Sequence, residues 1–306
     1  MEFLERVLRK TRVVNPLKIE SDAQVTLVPL SGGGDADADL LSEATNTGAT
    51  IVSEVSESGD VNRVLVRHAG PQPLLLLHGE ELLGAKQNRI LNASFLVAPG
   101  EAVEIPASCV ERGRWGYSSR EFSSSGTTVA SQIRSRSLKR VARSVMMGGS
   151  LDAKQSAVWR DVDAYLSRTR TVSPTASHFD AASKHLGEAR MALSKIELDP
   201  SSVGVAFVRG DRLVSLDLFG SPSLFARAWK KLGLGVLSDV YEESITPADP
   251  RAVAQDALDD IRTTPLRKGP AVGIGETLHG GGNVAVGAVV EGGQLYHLYA
   301  AHESRE

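Results

Sequence analysis

Apolar positions along this chain change their spacing twice. Between residues 22 and 110 they form short runs broken by Gly, Pro, Asn and Asp, which predicts strands over 23–30, 49–55, 61–68, 73–78, 90–98 and 102–109. Pro99-Gly100 followed by Val103-Glu104-Ile105 predicts the return limb of a hairpin, and a short helix over 36–45 fits after Gly32-Gly33-Gly34. From 118 to 150 ten serines dilute the pattern, giving a loop and then a basic helix over 127–147 that Gly148-Gly149 ends. Helical spacing then predicts helices over 153–168 and 176–198, the second stopping at Asp199-Pro200.

Beyond residue 200 the two periods alternate. Strands over 203–209 and 213–219 pair around Gly210-Asp211, and Ser221-Pro222 opens a helix to about 232 with proline in its first turn. Helices over 235–243 and 250–263 follow, then strands over 271–278, 283–290 and 294–300. No repeat of fixed period is visible, which speaks against a solenoid or propeller. A strand-rich N-terminal part, a helical middle and mixed C-terminal strands and helices predict an α+β fold packed as one globular unit, not a doubly wound sheet. The expected organisation is one domain over 20–302, with a basic Ser/Arg-rich segment at about 112–150 and an N-terminal extension over 1–19.

Composition adds little at first. The 306 residues carry 34 Lys+Arg, 37 Asp+Glu and 42% hydrophobic residues, ordinary globular usage that excludes a disordered or collagenous chain. The near-neutral total of −3 argues against a nucleic-acid coat protein. Its distribution changes the picture: residues 31–62 hold seven acids and no Lys or Arg, whereas 112–170 hold 12 basic residues against four acids. Arg134, Arg136, Lys139, Arg140 and Arg143 cover half a helix there, with Trp115, Tyr117 and Phe122 upstream, so the tract is a candidate surface for RNA or an acidic partner. The single cysteine, Cys109, excludes an intrachain disulfide and a Cys-cluster metal site. The charged segment Met1-Glu2-Phe3-Leu4-Glu5-Arg6 lacks a signal-like apolar region, and the run 74–77 is far short of the ~20 residues of a membrane span. A cytoplasmic protein without a membrane partner is the expectation; a homo-oligomer stays open.

Several motifs fail on inspection. A calcium loop starting at Asp35 would need Gly and Glu where Leu40 and Asn46 stand. Gly273-Ile274-Gly275-Glu276-Thr277-Leu278 lacks the third glycine of a dinucleotide fingerprint and the helix after it. No phosphate-loop, nucleophile-elbow or zinc-helix signature is present, and no metal site is predicted.

The densest chemistry lies in two strings. In His78-Gly79-Glu80-Glu81-Leu82-Leu83-Gly84-Ala85-Lys86-Gln87-Asn88-Arg89, two carboxylates precede cationic and amide side chains able to orient a phosphate-bearing ligand. In Ile105-Pro106-Ala107-Ser108-Cys109-Val110-Glu111-Arg112-Gly113-Arg114-Trp115, arginines flank a thiol and could lower its pKa if they pointed inward. His279 and His297, at strand ends, are the histidines that could serve it as a base, though structural roles are as compatible with their positions. A surface hairpin and a buried apolar cysteine explain the same strings structurally.

These two strings, with Leu216-Asp217-Leu218-Phe219-Gly220-Ser221-Pro222, Phe225 and Trp229, resemble the bacterial ARPP domain family, associated with ADP-ribosylglycohydrolases and rhodanese-phosphatases, over most of residues 20–300. The resemblance implies a link to NAD or ADP-ribose metabolism and brings no established reaction or cofactor. Taken together, the expectation is binding, and conceivably hydrolysis or transfer, of an ADP-ribose- or NAD-derived nucleotide. Glu80, Glu81, Glu111 and Cys109 are the candidate catalytic groups; Lys86, Gln87, Asn88, Arg89 and Arg112 are the candidate ligand contacts. The alternative is a non-catalytic module that binds RNA or an acidic partner through 134–143.

Overall fold

The computed structural model describes residues 2–242 and 245–302. Its helices are α1 (Glu2–Lys10), α2 (Leu41–Asn46), α3 (Ser131–Met146), α4 (Gln155–Arg168), α5 (His178–Ala182), α6 (Leu186–Ser194), α7 (Pro222–Leu237) and α8 (Pro250–Thr263). They surround three β structures that make the chain one mixed α+β unit.

The largest sheet has nine strands. Ser202–Arg209 and Arg212–Phe219 form the expected hairpin, flanked on one side by Thr26–Ser31 and on the other by Gln294–His302, Val284–Glu291 and Glu276–Gly280. Every pairing is antiparallel, yet the strands read as nearly continuous apolar runs because both faces are covered. Alternate residues divide accordingly: Val205 and Phe207 pack with Leu224, Phe225 and Leu232 of α7, while Ala206 and Val208 pack with Leu4 and Leu8 of α1 and Leu258 of α8.

The second structure is a closed six-stranded barrel, ordered Ala102–Cys109, Arg63–His68, Thr50–Ser53, Glu121–Thr128, Glu80–Gly84, Arg89–Leu91 and back to the first. In Arg63–His68 alternate residues are buried, the two-residue period of a half-solvated strand. The barrel core, including Val64, Val66, Ile90 and Phe122, is continuous with Ile133 and Val141 of α3 and Val158 and Tyr165 of α4. A third sheet, Phe95–Val97 with Leu74–Leu76 and Asp39–Leu40, lies between.

Seven expectations are corrected. The run 90–98 is two strands belonging to different sheets, separated by Asn92-Ala93-Ser94. Ala102–Cys109 does not return on Phe95–Val97; it pairs with Arg63–His68 and Arg89–Leu91. The segment read as a polar turn contains the barrel strand Glu80–Gly84, and the serine-rich loop contains Glu121–Thr128. The helix read over 176–198 breaks at Ser183–His185 into α5 and α6. The helix placed at 36–45 starts only at Leu41, because Asp39–Leu40 pairs with Leu74–Leu75. Helix α7 runs through Gly233 and Gly235 to Leu237, where two helices were expected; residue 243, the end of the second, lies outside the described residues. A side chain at Gly235 would meet Thr128 Oγ1 at 2.1 Å, so its bare backbone lets α7 approach the barrel.

Candidate functional site

The two strings singled out in the sequence fold onto one end of the barrel, and their side chains turn mainly to one another. Glu111 is buried; its carboxylate accepts from the Asn88 amide at 3.0 Å, Thr175 Oγ1 at 2.9 Å and the Arg114 guanidinium at 2.9 and 2.6 Å. Burial alone would raise its pKa, but these donors outweigh it and hold the carboxyl below the ordinary range. Arg114 also donates to the carbonyls of Ala85 and Gly84, fastening the 112–119 segment over the loop that bears Lys86. Lys86 lies 5.3 and 5.1 Å from the half-exposed rings of Trp115 and Tyr117. Arg89 is fully buried, donating to the backbone and side-chain oxygens of Gln87 at 3.2 Å, with Glu54 at 3.7 Å. Asn88 Oδ1 accepts from the Gly84 amide at 3.1 Å. Arg112 is exposed and forks onto Asp163. Cys109 is buried, its Sγ accepting from the Glu111 amide at 3.3 Å, and burial pushes its pKa up, so no thiolate is favoured.

Replacing Arg114 with Ala removes most of this fastening and leaves Glu111 buried without its main partner. We expect a loss of about 2–3 kcal/mol of stability and a changed Trp115 environment, read by urea titration and tryptophan emission of the folded state.

Glu80 and Glu81 turn away from that cluster. Glu80 is ion-paired with Lys231 of α7 and accepts from the Leu77 amide, while Glu81 accepts from His178 Nδ1 at 3.0 Å, whose Nε2 accepts from the Ala130 amide. Both carboxylates are thus keyed to helices that cover the barrel. The candidate catalytic set therefore divides: Glu111 and Cys109 stay with Asn88 and Arg89, and each of the two consecutive glutamates faces its own helix.

A second buried network joins barrel to sheet. Arg134 forks onto Asp217 at 2.9 and 2.7 Å, donates through Nε to the His78 carbonyl at 2.8 Å and lies 3.7 Å from the Tyr299 ring. His297 Nε2 donates to Asp217 at 3.0 Å, and its Nδ1 is 2.7 Å from Ser94 Oγ. Burial lowers the His297 pKa; it opposes ionisation of Asp217, which Arg134 and His297 nevertheless hold below the ordinary carboxylate range. Gly79, at φ +73°, makes room for Arg134, since a Cβ there would meet Arg134 Cγ at 2.6 Å. Arg134 is thus removed from the basic surface on which the sequence placed it.

The rest of the basic tract lines an open cleft of about 820 Å³. From α3 come Arg136, Lys139, Arg140 and Arg143, from α4 Arg160 and Arg168, and from the sheet hairpin Arg209 and Arg212. Among the described residues the carboxylates of the lining are Asp161 and Glu242, and Tyr241 and His302 also line it. Asp161 binds Arg136 at 3.1 Å and Arg140 at 2.6 Å, so one buried carboxylate orders two guanidinium groups. Asp239 accepts from the Gln132 amide and Ser131 Oγ at the start of α3 and lies 3.5 Å from Arg168, fixing a third. None of the residues chosen from the two strings lines this cleft. Sequence reasoning found the α3 cations but missed Arg160, Arg168, Arg209 and Arg212; the readable signal was the pair of arginines flanking the Gly210-Asp211 turn.

Fold and cleft define the class: a mixed α+β protein in which a six-stranded barrel and a nine-stranded antiparallel sheet are joined by helices, two of which line a cationic cleft. The profile of the ARPP-1 family, the ARG and Rhodanese-Phosphatase-superfamily-associated Protein domain, matches residues 14–301, and the chain belongs to that family. The family is associated with the ADP-ribosylglycohydrolase and rhodanese-phosphatase superfamilies. No curated protein and no solved structure matches the chain. Among the described residues no cluster of metal-ligating side chains occurs, and no helix is long and apolar enough to cross a membrane.

Proposed function

We propose that this protein binds a phosphate-bearing nucleotide of the ADP-ribose or NAD class, and that the cleft between α3, α4 and the sheet hairpin is where it binds. The observation that carries this reading is the lining, which among the described residues gathers eight cationic side chains from three elements around a volume suited to a nucleotide. Guanidinium groups present paired donors that match phosphate oxygens, and Asp161 holds two of them in place before a ligand arrives. The family's association supplies the nucleotide class. In this reading the barrel-end cluster around Glu111 and Arg89, and the glutamates at 80 and 81, maintain the framework; the cleft makes the contacts.

Binding of ADP-ribose to the full chain, followed by titration calorimetry, should weaken about tenfold or more between 50 and 300 mM salt, as ion release from several phosphate contacts requires. Arg140→Gln should weaken it further, whereas Glu111→Gln should leave the affinity of the folded protein unchanged. Binding lost on Glu111→Gln and kept on Arg140→Gln would move the site to the barrel end.

The alternative of an RNA-binding module draws on the same cations. The lining offers one aromatic residue near them, Tyr241, half-buried beneath Arg209 at 5.1 Å. Successive bases need successive rings to stack on, so the nucleotide reading is preferred.

A further inference from the structure

The loop between strands Ala102–Cys109 and Glu121–Thr128 keeps two rings in water. Trp115 is 52% and Tyr117 54% exposed, yet neither hangs on a loose segment. Besides Glu111 and the carbonyls of Ala85 and Gly84, Arg114 donates to the Gly116 carbonyl and to Ser118 Oγ, each at 3.0 Å, so the backbone carrying both rings is fixed. Holding a large aromatic half in solvent contributes little to a fold, whereas rigidly presented rings are the usual anchors of a binding surface.

Beside Trp115 lies a carboxylate with an unused oxygen. Glu54 is buried; its Oε1 accepts from the Lys86 amide at 3.1 Å, and Arg89 approaches that same oxygen only to 3.7 Å. Oε2 has no hydrogen-bond partner among the described residues, a state that buried acceptors rarely keep. Gly59 locates it: a Cβ there would lie 3.3 Å from Oε2, 3.1 Å from Lys86 Cδ and 3.4 Å from Trp115 Cη2, so carboxylate, lysine stem and indole edge converge on one notch. The turn over the notch, 56–59, has Ser56, Glu57 and Ser58 exposed. It is tied down by Lys86 Nζ donating to the Ser58 carbonyl at 2.9 Å and by Tyr117 Oη donating to the Glu57 carbonyl at 3.5 Å. Around the notch Lys86 and Arg89 are balanced by Glu54 and by Glu57 and Asp60 of the covering loop, so among the described residues no excess of cations gathers here and the notch suits a neutral ligand.

We infer that this notch binds a nucleobase: its face stacks on Trp115, its amino group donates to Glu54 Oε2, and the 56–59 turn lifts to admit it. Stacking accepts any planar heterocycle; a buried acceptor without a partner favours one that brings an N–H and rejects one that does not. The notch is separate from the cationic cleft, whose lining includes none of these residues, and is independent of the ligand assigned there.

Adenosine titrated into the full chain, with binding followed by calorimetry and by tryptophan emission, tests this. It should bind with saturable quenching of the emission, and its affinity should change less than about twofold between 50 and 300 mM salt, since no phosphate is engaged. Purine riboside, the same ring system without the amino group, should bind about tenfold or more weakly. Glu54→Gln, which can keep an oxygen on the Lys86 amide while turning the other position into a donor, should bring that ratio to within about twofold of unity. Trp115→Leu should weaken both nucleosides about tenfold or more. The ratio is first measured on the unaltered chain, and Trp115 is half-exposed, so a failure to fold cannot imitate these results. Purine riboside binding as tightly as adenosine, or adenosine affinity that survives Trp115→Leu, would overturn the inference and leave the cleft reading standing; so would adenosine that does not bind. A single-stranded oligoribonucleotide that binds more tightly than adenosine, and loses that affinity with Trp115→Leu, would assign the rings to a nucleic-acid strand and overturn the single-base site.

Discussion

Asp217→Asn should destabilise this protein by about 3–5 kcal/mol, the range for breaking one side of a buried ion pair. Arg134 and Asp217 are both almost completely shielded from water, and the carboxylate answers two donors, the fork of Arg134 and the ring of His297. The amide keeps the shape but removes the charge, leaving a guanidinium in the interior facing a neutral group. Part of the cost is also geometric: Arg134 ties α3 to the turn at His78, and Asp217 belongs to the central hairpin of the sheet. Urea titration of the variant against the parent measures the loss. The double variant Arg134→Met with Asp217→Asn should lose clearly less than the two single losses added, because it leaves no unpaired interior charge. Losses that simply add would show that the two residues stabilise the fold separately.

Acid should weaken the fold steeply well before carboxylates titrate. Burial lowers the His78 pKa to about 3 and the His279 pKa to about 4, from an ordinary 6.5. In His78 the neighbouring Arg134 charge acts in the same direction. Both ring nitrogens of His279, and Nδ1 of His78, have no hydrogen-bond partner among the described residues, so neither ring has much to stabilise its charged form. Each histidine is neutral when folded and gains a proton more readily when unfolded. Its contribution is therefore complete above about pH 6.5 and falls as pH drops towards the folded value. Each supplies a slope of about 1.4 kcal/mol per pH unit, so together they approach about 2.7 between pH 6 and 4. Unfolding free energies measured across that range should show at least this slope, and His279→Leu should reduce it by about 1.4 kcal/mol per pH unit. A flat profile from pH 7 to 5 would mean that these rings find partners for a proton in the folded state.

The sequence was most readable where local pattern and tertiary environment agree. The strands over 203–209 and 213–219 carry largely apolar runs, a Gly-Asp turn and two buried faces, and α8 starts and ends where its Asp249-Pro250 cap and apolar spacing place it. It was least readable where a distant residue changes what a side chain can do. Glu80 and Glu81 look like turn residues because consecutive acids rarely enter a core; Lys231 and His178, 151 and 97 residues away, make them a buried strand start. Gly233 and Gly235 look like helix breakers, but in α7 their missing side chains are what contact requires. The basic tract was legible as charge. Its division was not, since helical periodicity says that Arg134 and Arg136 face apart without saying which one points inward; Asp217, 83 positions on, decides it. The cleft shared this limit, because its walls come from α3, α4, the hairpin and the final strand, which only folding brings together.

The strand Gln294–His302 is the last among the described residues, yet it lies in the middle of the nine-stranded sheet, between Arg212–Phe219 and Val284–Glu291. On a ribosome, then, every strand of the barrel emerges some 170 residues before the sheet can close. Until that final strand arrives, the Arg212–Phe219 hairpin presents an open, apolar edge of the kind that pairs with other chains. Over the roughly 75 residues of synthesis that separate the two strands, the nascent protein is exposed at the very seam where His302 will complete the cleft.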